Sequence, residues 1–251
     1  MSVEFDIVIP ARYESSRFPG KLLADICGKP MIQRVIERAF ESSAQNVFVA
    51  VDDERIASVV QAASDAKVCR TRSDHVSGTD RVAEAVTRLG LSGDRIVVNV
   101  QGDEPLICAK LIDKVAAALL EHPDAEVSTA ASPITSQQDW TDSNVVKCAI
   151  DCDGYALYFS RCSIPYGTSQ TGSRVRGLHH IGIYAYRAGY LVEHAKRPAC
   201  KLELTERLEQ LRVLFNGDRI AVHVDENYKA LGVDTAEDLA RVVQMVNADK
   251  Q

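Results

Sequence analysis

Short runs rich in valine and isoleucine alternate with amphipathic stretches through the first half of the chain, and this alternation narrows the fold more than any other feature. Ile7–Ile9, Val47–Val51 and Ile96–Val100 have the length and β-branched composition of buried strands. Between them, Met31, Ile32, Val35, Ile36 and Ala39 recur at a helical period over Met31–Phe40. A second helix is predicted over Ile56–Ala63, with Asp52-Asp53 placed to cap its first turn. Gly78–Leu89 carries Val82, Ala83, Val86 and Leu89 on one face, and Leu111–Leu120 has a similar stripe. Continuously apolar strands, each followed by a helix, are the pattern of βαβ units in a mostly parallel sheet covered on both faces. The crossovers are then right-handed.

The pattern changes after about Glu121. Val127–Ala131, Val145–Ile150, Leu157–Phe159 and His180–Tyr186 read as short strands, some separated by turn signals such as Asp153-Gly154. Pro165–Gly177 is polar and glycine-rich, the composition of a mobile loop. A helix over Leu204–Phe215 is stopped by Asn216-Gly217. The strand Ile220–Val224 and a last helix from about Thr235, capped by Asp234 or Thr235, complete the chain. The expectation is one unit over 1–251: an α/β part over about 1–121, an inserted β-rich part over about 122–225, and a C-terminal strand and helix that return to the main sheet.

Bulk properties remove several classes of function. A net charge of −6 argues against coating nucleic acid. No apolar run is long enough to span a bilayer, and Met1–Phe5 lacks the features of a signal peptide. Seven scattered cysteines contain no Cys-x-x-Cys pair, which fits reduced thiols in a cytoplasmic protein rather than a disulfide or zinc framework.

Positive charge is local. The first strand runs into Pro10-Ala11-Arg12-Tyr13-Glu14-Ser15-Ser16-Arg17-Phe18-Pro19-Gly20-Lys21, a loop with three cations at the carboxyl end of a strand. Ligands bind at that edge of α/β sheets, and such a loop suits a polyanion such as a triphosphate as well as it suits plain solvent. Neither G-x-x-x-x-G-K-[ST] nor G-x-G-x-x-G is present, so a P-loop or dinucleotide site is not the explanation. Val98–Pro105 delivers Gln101 and Asp103 across Gly102 to the same edge. Asp103 suits a magnesium ion, which takes one or two carboxylates plus phosphate oxygens, although Gly-Asp-Glu-Pro is also ordinary turn chemistry. Asp234, in Gly232-Val233-Asp234-Thr235, reads equally as a helix cap and as a second carboxylate for a metal. Asp74–Arg81 opens a helix with small polar residues, suited to a base or ribose contact or to capping by Ser77 alone.

These segments together resemble the 3-deoxy-manno-octulosonate cytidylyltransferases, or CMP-Kdo synthetases. The likeness lies in Pro10–Tyr13, Ser16-Arg17, Pro19–Lys21, Gly28–Met31, Asp74-His75, Ser77–Thr79 and Val100–Pro105. It continues through Ala156–Arg161, Ile164-Pro165, His180, Gly182–Tyr184, Leu208–Arg212 and Gly232–Thr235, across essentially the whole chain. The resemblance implies a Rossmann-like nucleotide-diphospho-sugar transferase fold, a homodimer, and magnesium-dependent transfer of CMP from CTP to an eight-carbon acid sugar, Kdo, for lipopolysaccharide biosynthesis. It implies that Arg12, Arg17 and Lys21 hold the triphosphate, with Ala11, Arg72, Ser77, Gly78 and Gln101 also at the nucleotide. Asp103 and Asp234 match the magnesium ligands; with Arg17 and Lys21 they form the catalytic set. Gln101, Arg161, His180, Tyr184, Glu209 and Gln210 match the sugar pocket, within the part over about 122–225 that also carries the dimer contact.

The chain departs from the family pattern at three places. Leu22-Leu23 follows Lys21 where proline is usual, Cys200-Lys201-Leu202-Glu203 replaces Ser-Pro-Leu-Glu, and the segment between Pro165 and His179 is short. These changes bear on loop shape and sugar selectivity. The 8-amino analogue of Kdo or a sialic acid stands as an alternative substrate, and a catalytically silent nucleotide-binding protein as an alternative of another class.

Overall fold

A computed structural model describes residues 3–14, 18–166, 177–228 and 232–248. Two short strands, β2 (Asp25–Ile26) and β3 (Lys29–Pro30), form a separate antiparallel pair, and the central sheet has the strand order β11-β7-β10-β6-β1-β4-β5. Its strands are β1 (Phe5–Ala11), β4 (Asn46–Val51), β5 (Lys67–Arg70), β6 (Ile96–Asn99), β7 (Val127–Pro133), β10 (Leu178–Arg187) and β11 (Ile220–Val224). β1 pairs in parallel with β4 and β6, β4 with β5, and β11 with β7. Only β10 runs against its neighbours along this path, antiparallel to β6 and β7. β8 (Lys147–Ile150) and β9 (Ala156–Ser160) branch off beside β10 as an antiparallel pair. The mixed, mostly parallel α/β sheet is the expected fold class.

Alternation along the strands builds two cores. Ile7 and Ile9 of β1, Val47, Val49 and Val51 of β4, and Val98 of β6 join one cluster. Their cover comes from α1 (Met31–Phe40), α2 (Glu54–Ala63), α4 (Ala109–Glu121) and α9 (Ala236–Ala248). Val8, Phe48, Ala50 and Val97 point the other way, against α3 (Gly78–Leu89), α6 (Ala188–His194) and α8 (Leu211–Phe215). A one-residue slip in β1 would exchange these faces, so the register is strongly specified. The α1 stripe Met31, Ile32, Val35, Ile36 and Ala39 is buried as its period requires.

One expected helix is two. Leu204–Phe215 divides into α7 (Lys201–Glu206) and α8, because Arg207 takes a left-handed conformation with φ 55°. Glu206 turns back at the break, its carboxylate accepting from Ser160 Oγ at 2.7 Å and from the Arg161 amide at 2.9 Å. The strand β5, the short helix α5 (Gln137–Thr141) and α6 were not anticipated. Residues 167–176, most of the segment expected to form a mobile loop, lie outside the described residues.

Candidate active site at the carboxyl edge of β1 and β6

β1 ends at Ala11, which is fully buried in the core and lines neither of the spaces described below. The chain then leaves the sheet. Tyr13 N–H donates to Asp52 Oδ1 at 3.1 Å, and Gly20, in the left-handed region at φ 70°, donates its N–H to the Tyr13 carbonyl at 3.2 Å. A 3-10 turn over Lys21–Leu23 follows, burying Leu22 and bringing Lys21 back over the sheet edge.

The loop after β6 crosses directly beneath. A Cβ at Gly102 would lie 3.0 Å from the Pro10 carbonyl oxygen and 3.3 Å from Leu22, so a side chain here would press on the backbone of the crossing. Val233 N–H donates to the Asp103 carbonyl at 2.9 Å and fixes the third segment beside the second. A Cβ at Gly232 would come within 2.8 Å of Glu104 Oε1, the end of a side chain that would have to shift. Burial pushes the Glu104 carboxyl up to about 8, aided by the charges of Asp103 and Asp234 and opposed by Lys21.

The three segments converge on one ammonium. Lys21 Nζ donates to Asp103 Oδ2 at 2.6 Å, to the Val233 carbonyl at 2.9 Å and to Asp234 Oδ1 at 3.2 Å. The two readings of Asp234 are thereby separated. Thr235 caps α9: its Oγ1 accepts from the Asp238 amide at 3.2 Å while Asp238 Oδ2 accepts from the amides of Asp234 and Thr235. The Asp234 carboxylate instead faces Lys21. Two carboxylates that meet at one cationic atom have the donor chemistry of a magnesium site, hard oxygens and few of them.

The amino end of α3 forms the opposite wall. Ser77 and Asp80 make a capping box, and Ser77 Oγ also donates to Glu209 Oε1 at 2.9 Å. Thr79 Oγ1 donates to Glu209 Oε2 at 3.1 Å. Burial holds the Glu209 carboxyl above its ordinary range, against these two hydroxyl donors. A cavity of about 270 Å³ lies between the walls and is lined by Arg12, Lys21, Ser77, Gly78, Gln101, Asp103 and Asp234. It shares Arg12 and His75 with a second space of about 780 Å³ that extends over Tyr13 and Arg55. The combined volume is that of a ligand site.

Other predicted residues lie elsewhere or deeper. Arg17 is outside the described residues. Arg72 is exposed and pairs with Asp74 at 3.2 Å, outside both spaces. Tyr184, Glu209 and Gln210 border a smaller space of about 30 Å³ behind Ser77 and Thr79. His180 is buried against Phe159 and Tyr184 with Nε2 3.0 Å from Thr129 Oγ1, and burial pushes it down to about 3. The Arg161 guanidinium donates to the carbonyls of Glu206, Ser143 and Arg207, at 2.8, 2.9 and 3.4 Å. Neither His180 nor Arg161 lines the three spaces.

Sequence reasoning missed a strut beneath the cavity. Arg81 of α3 is 2% exposed; it donates to Asp52 Oδ2 at 2.7 Å, Thr71 Oγ1 at 2.7 Å and the Arg72 carbonyl at 3.1 Å. Asp52 simultaneously holds the Tyr13 amide, so one ion pair ties the cationic loop to the amino end of α3. No pattern in the sequence marked it, because Arg81 shares its side of α3 with the charged residues Glu84 and Arg88.

A sequence profile described as cytidylyltransferase matches residues 7–220. The 3-deoxy-manno-octulosonate cytidylyltransferase of Pseudomonas syringae pv. syringae (strain B728a) is 51% identical, over 98% of this chain and 99% of the relative. The protein of the same name from Francisella philomiragia subsp. philomiragia is 49% identical, over 96% and 97%. A solved structure of CMP:2-keto-3-deoxy-manno-octonic acid synthetase complexed with CTP superposes with a TM-score of 0.89 at 39% identity, covering 98% of this chain and 99% of that one.

Proposed function

This chain belongs to the cytidylyltransferase family, and on that premise we propose that it joins the CMP moiety of CTP to 3-deoxy-manno-octulosonate. The anomeric hydroxyl oxygen of the sugar bonds to the α-phosphorus of CTP, the bond from that phosphorus to the bridging oxygen breaks, and pyrophosphate leaves. The hydroxyl proton passes to solvent. The observation that carries this reading is the meeting of Lys21, Asp103 and Asp234 in the cavity that Arg12 and the amino end of α3 complete.

Phosphoryl-type displacement needs placement and charge neutralisation more than covalent help from the protein. Arg12, Arg17 and Lys21 supply the cations for a triphosphate, and Ala11, also assigned to the nucleotide, is the buried last residue of β1. Ser77, Gly78 and Gln101 border the space assigned to the nucleotide, and Arg72, which lines neither space, completes the assigned set. Asp103 and Asp234 would hold Mg²⁺, which when bound supplies Lewis acidity and a template for the phosphates. Gln101 and Glu209 are the sugar-pocket residues nearest this cavity, Glu209 through its bond to Ser77; Tyr184 and Gln210 lie behind them, and Arg161 and His180 complete the assigned set.

The chain works as a single catalytic unit over 1–251, with a homodimer contact in the part over about 122–225. Leu157 of β9, Leu204 of α7 and Phe215 of α8 are exposed on neighbouring elements and support that contact. All seven cysteines are free, which supports a reducing cytoplasmic setting, and no helix among the described residues is long and apolar enough to cross a membrane. Pyrophosphate release from CTP, Kdo and Mg²⁺, with each component omitted in turn, tests the reading. Release that proceeds without the sugar, or better with ATP, GTP or UTP, overturns it.

A further inference from the structure

We propose that Lys21 acts as an internal cation that keeps the Asp103–Asp234 pair closed to a free divalent metal, so that metal and nucleotide enter together. The inference rests on the cytidylyltransferase reading and adds to it an order of binding. Its basis is where the ammonium sits. Lys21 Nζ touches both carboxylates, at 2.6 and 3.2 Å, and its third partner is the Val233 carbonyl at 2.9 Å. An ammonium has three donors, so all are committed to the two segments that would present the metal ligands.

Exposure shows which group is the plug. The Lys21 side chain is 12% exposed, whereas those of Asp103 and Asp234 are 32% and 50% exposed. The lysine is the least exposed of the three and engages one oxygen of each carboxylate, so it is the cation already seated between them. Its position is fixed from below by the 3-10 turn, whose Leu22 is buried against Gly102. A second cation placed on the same two carboxylates meets the ammonium at short range, and like charges at a few ångströms in a partly dry site repel strongly.

Binding then follows from population arithmetic. A metal that needs the lysine moved binds with an affinity reduced by the fraction of molecules in which it has moved. A triphosphate changes that fraction, because its oxygens offer the ammonium new acceptors within the same cavity. The nucleotide thus raises the affinity for metal, and by linkage the metal raises the affinity for nucleotide by the same factor.

The test is Mn²⁺ binding followed by electron paramagnetic resonance of the free ion, on the full chain, with and without α,β-methylene-CTP. Lys21→Met should bind Mn²⁺ alone at least tenfold more tightly than the unsubstituted protein, and the analogue should then improve its binding by a smaller factor. Arg12→Met controls for bulk charge, since Arg12 lines the same cavity; a shift below threefold is expected. Lys21→Gln serves if the methionine variant melts early. Equal Mn²⁺ affinity in the lysine variants and the unsubstituted protein, or an equal shift in Arg12→Met, overturns the inference alone. An unsubstituted protein that takes up no Mn²⁺ even with the analogue overturns the metal-dependent reading of the function as well.

Discussion

The loops beyond β1 and β6 and the antiparallel block of β7 to β10 contain the same cationic residue types and use them in opposite ways. In the loops, Arg12 is exposed and Lys21 meets the carboxylates of Asp103 and Asp234 at a cavity wall. In the block, Lys147 is fully buried and donates to the carbonyls of Asp142, Val145 and Arg161 at 2.7, 2.7 and 2.9 Å. Arg161 likewise donates to three carbonyls, and His180 pairs with Thr129. The difference is one of backbone supply. Parallel strands end together at one edge and leave loops that need few side-chain partners. The irregular connections around β8 and β9 leave carbonyls unpaired, and buried carbonyls must find donors. In the loops carboxylates take most of the lysine's donors; in the block the main chain takes them all.

The sharpest break of this comparison is Asp103→Asn. The amide keeps the volume of the carboxylate and removes its charge, so the fold should persist while turnover falls by roughly 10²-fold or more, as when one charge-stabilising group is removed from a site. Steady-state pyrophosphate release with a melting curve alongside checks it. Near-normal turnover would place the metal elsewhere.

Arg81→Met comes next, because it breaks a buried ion pair on the cavity side. Asp52 would be left as an uncompensated charge, its side chain 9% exposed, and the cost is about 3–5 kcal/mol. Asp52→Asn keeps an acceptor for the Tyr13 amide but turns its NH2 toward the Arg81 guanidinium and leaves that cation uncompensated. Stability therefore falls as well, and KM for CTP should rise several-fold with kcat less affected. A variant with unchanged KM would reduce the pair to scaffolding.

The parallel half was legible because period is a local property. Gly78–Leu89 was read with the observed bounds, and Asp53 accepts from the Arg55 amide as the cap of α2. Lys21, Asp103 and Asp234 were legible as candidates because each sits next to a glycine or an apolar strand end, where a polar side chain has few local partners. Their meeting came from the family resemblance and not from any spacing, since it depends on the crossing of Pro10 over Gly102. Asp52–Arg81 was illegible for the same reason: the pair exists only because α3 packs beside β4, and no spacing encodes that. The break at Arg207 was hidden because Leu208, Leu211 and Leu214 extend an apolar period across it. The pull of Glu206 toward Ser160 and the Arg161 amide comes from a strand more than forty residues earlier.

On the antiparallel side, Lys147→Met should leave the assay nearly unchanged per folded molecule and lower stability. Three carbonyls would lose their donor, offset in part by removing an ammonium whose burial already depresses its basicity. The net loss should be about 1–3 kcal/mol, several degrees in melting temperature for a chain of this size. A large fall in turnover at unchanged stability would mean that this lysine faces substrate and that the two regions are not so different.

The smallest effect separates His180 from a titrating catalytic group. Its folded value lies near 3, well below the ordinary 6.5, because burial disfavours the charged ring and His179 adds repulsion. Between those two values the unfolded chain binds a proton that the folded chain does not, so stability is fully present above about pH 6.5 and is lost as pH falls toward 3. The slope from one such group is at most about 1.4 kcal/mol per pH unit. His194, brought down to about 4 by burial, then by Arg212 and Arg197, contributes a second slope over the upper part of the same range. His180→Asn should therefore flatten, without abolishing, the acid side of a melting-temperature profile, and should leave the pH dependence of kcat above pH 7 unmoved. A shift of the kcat profile in that variant would show that the ring is charged during turnover, and would return a buried strut of the antiparallel block to the site.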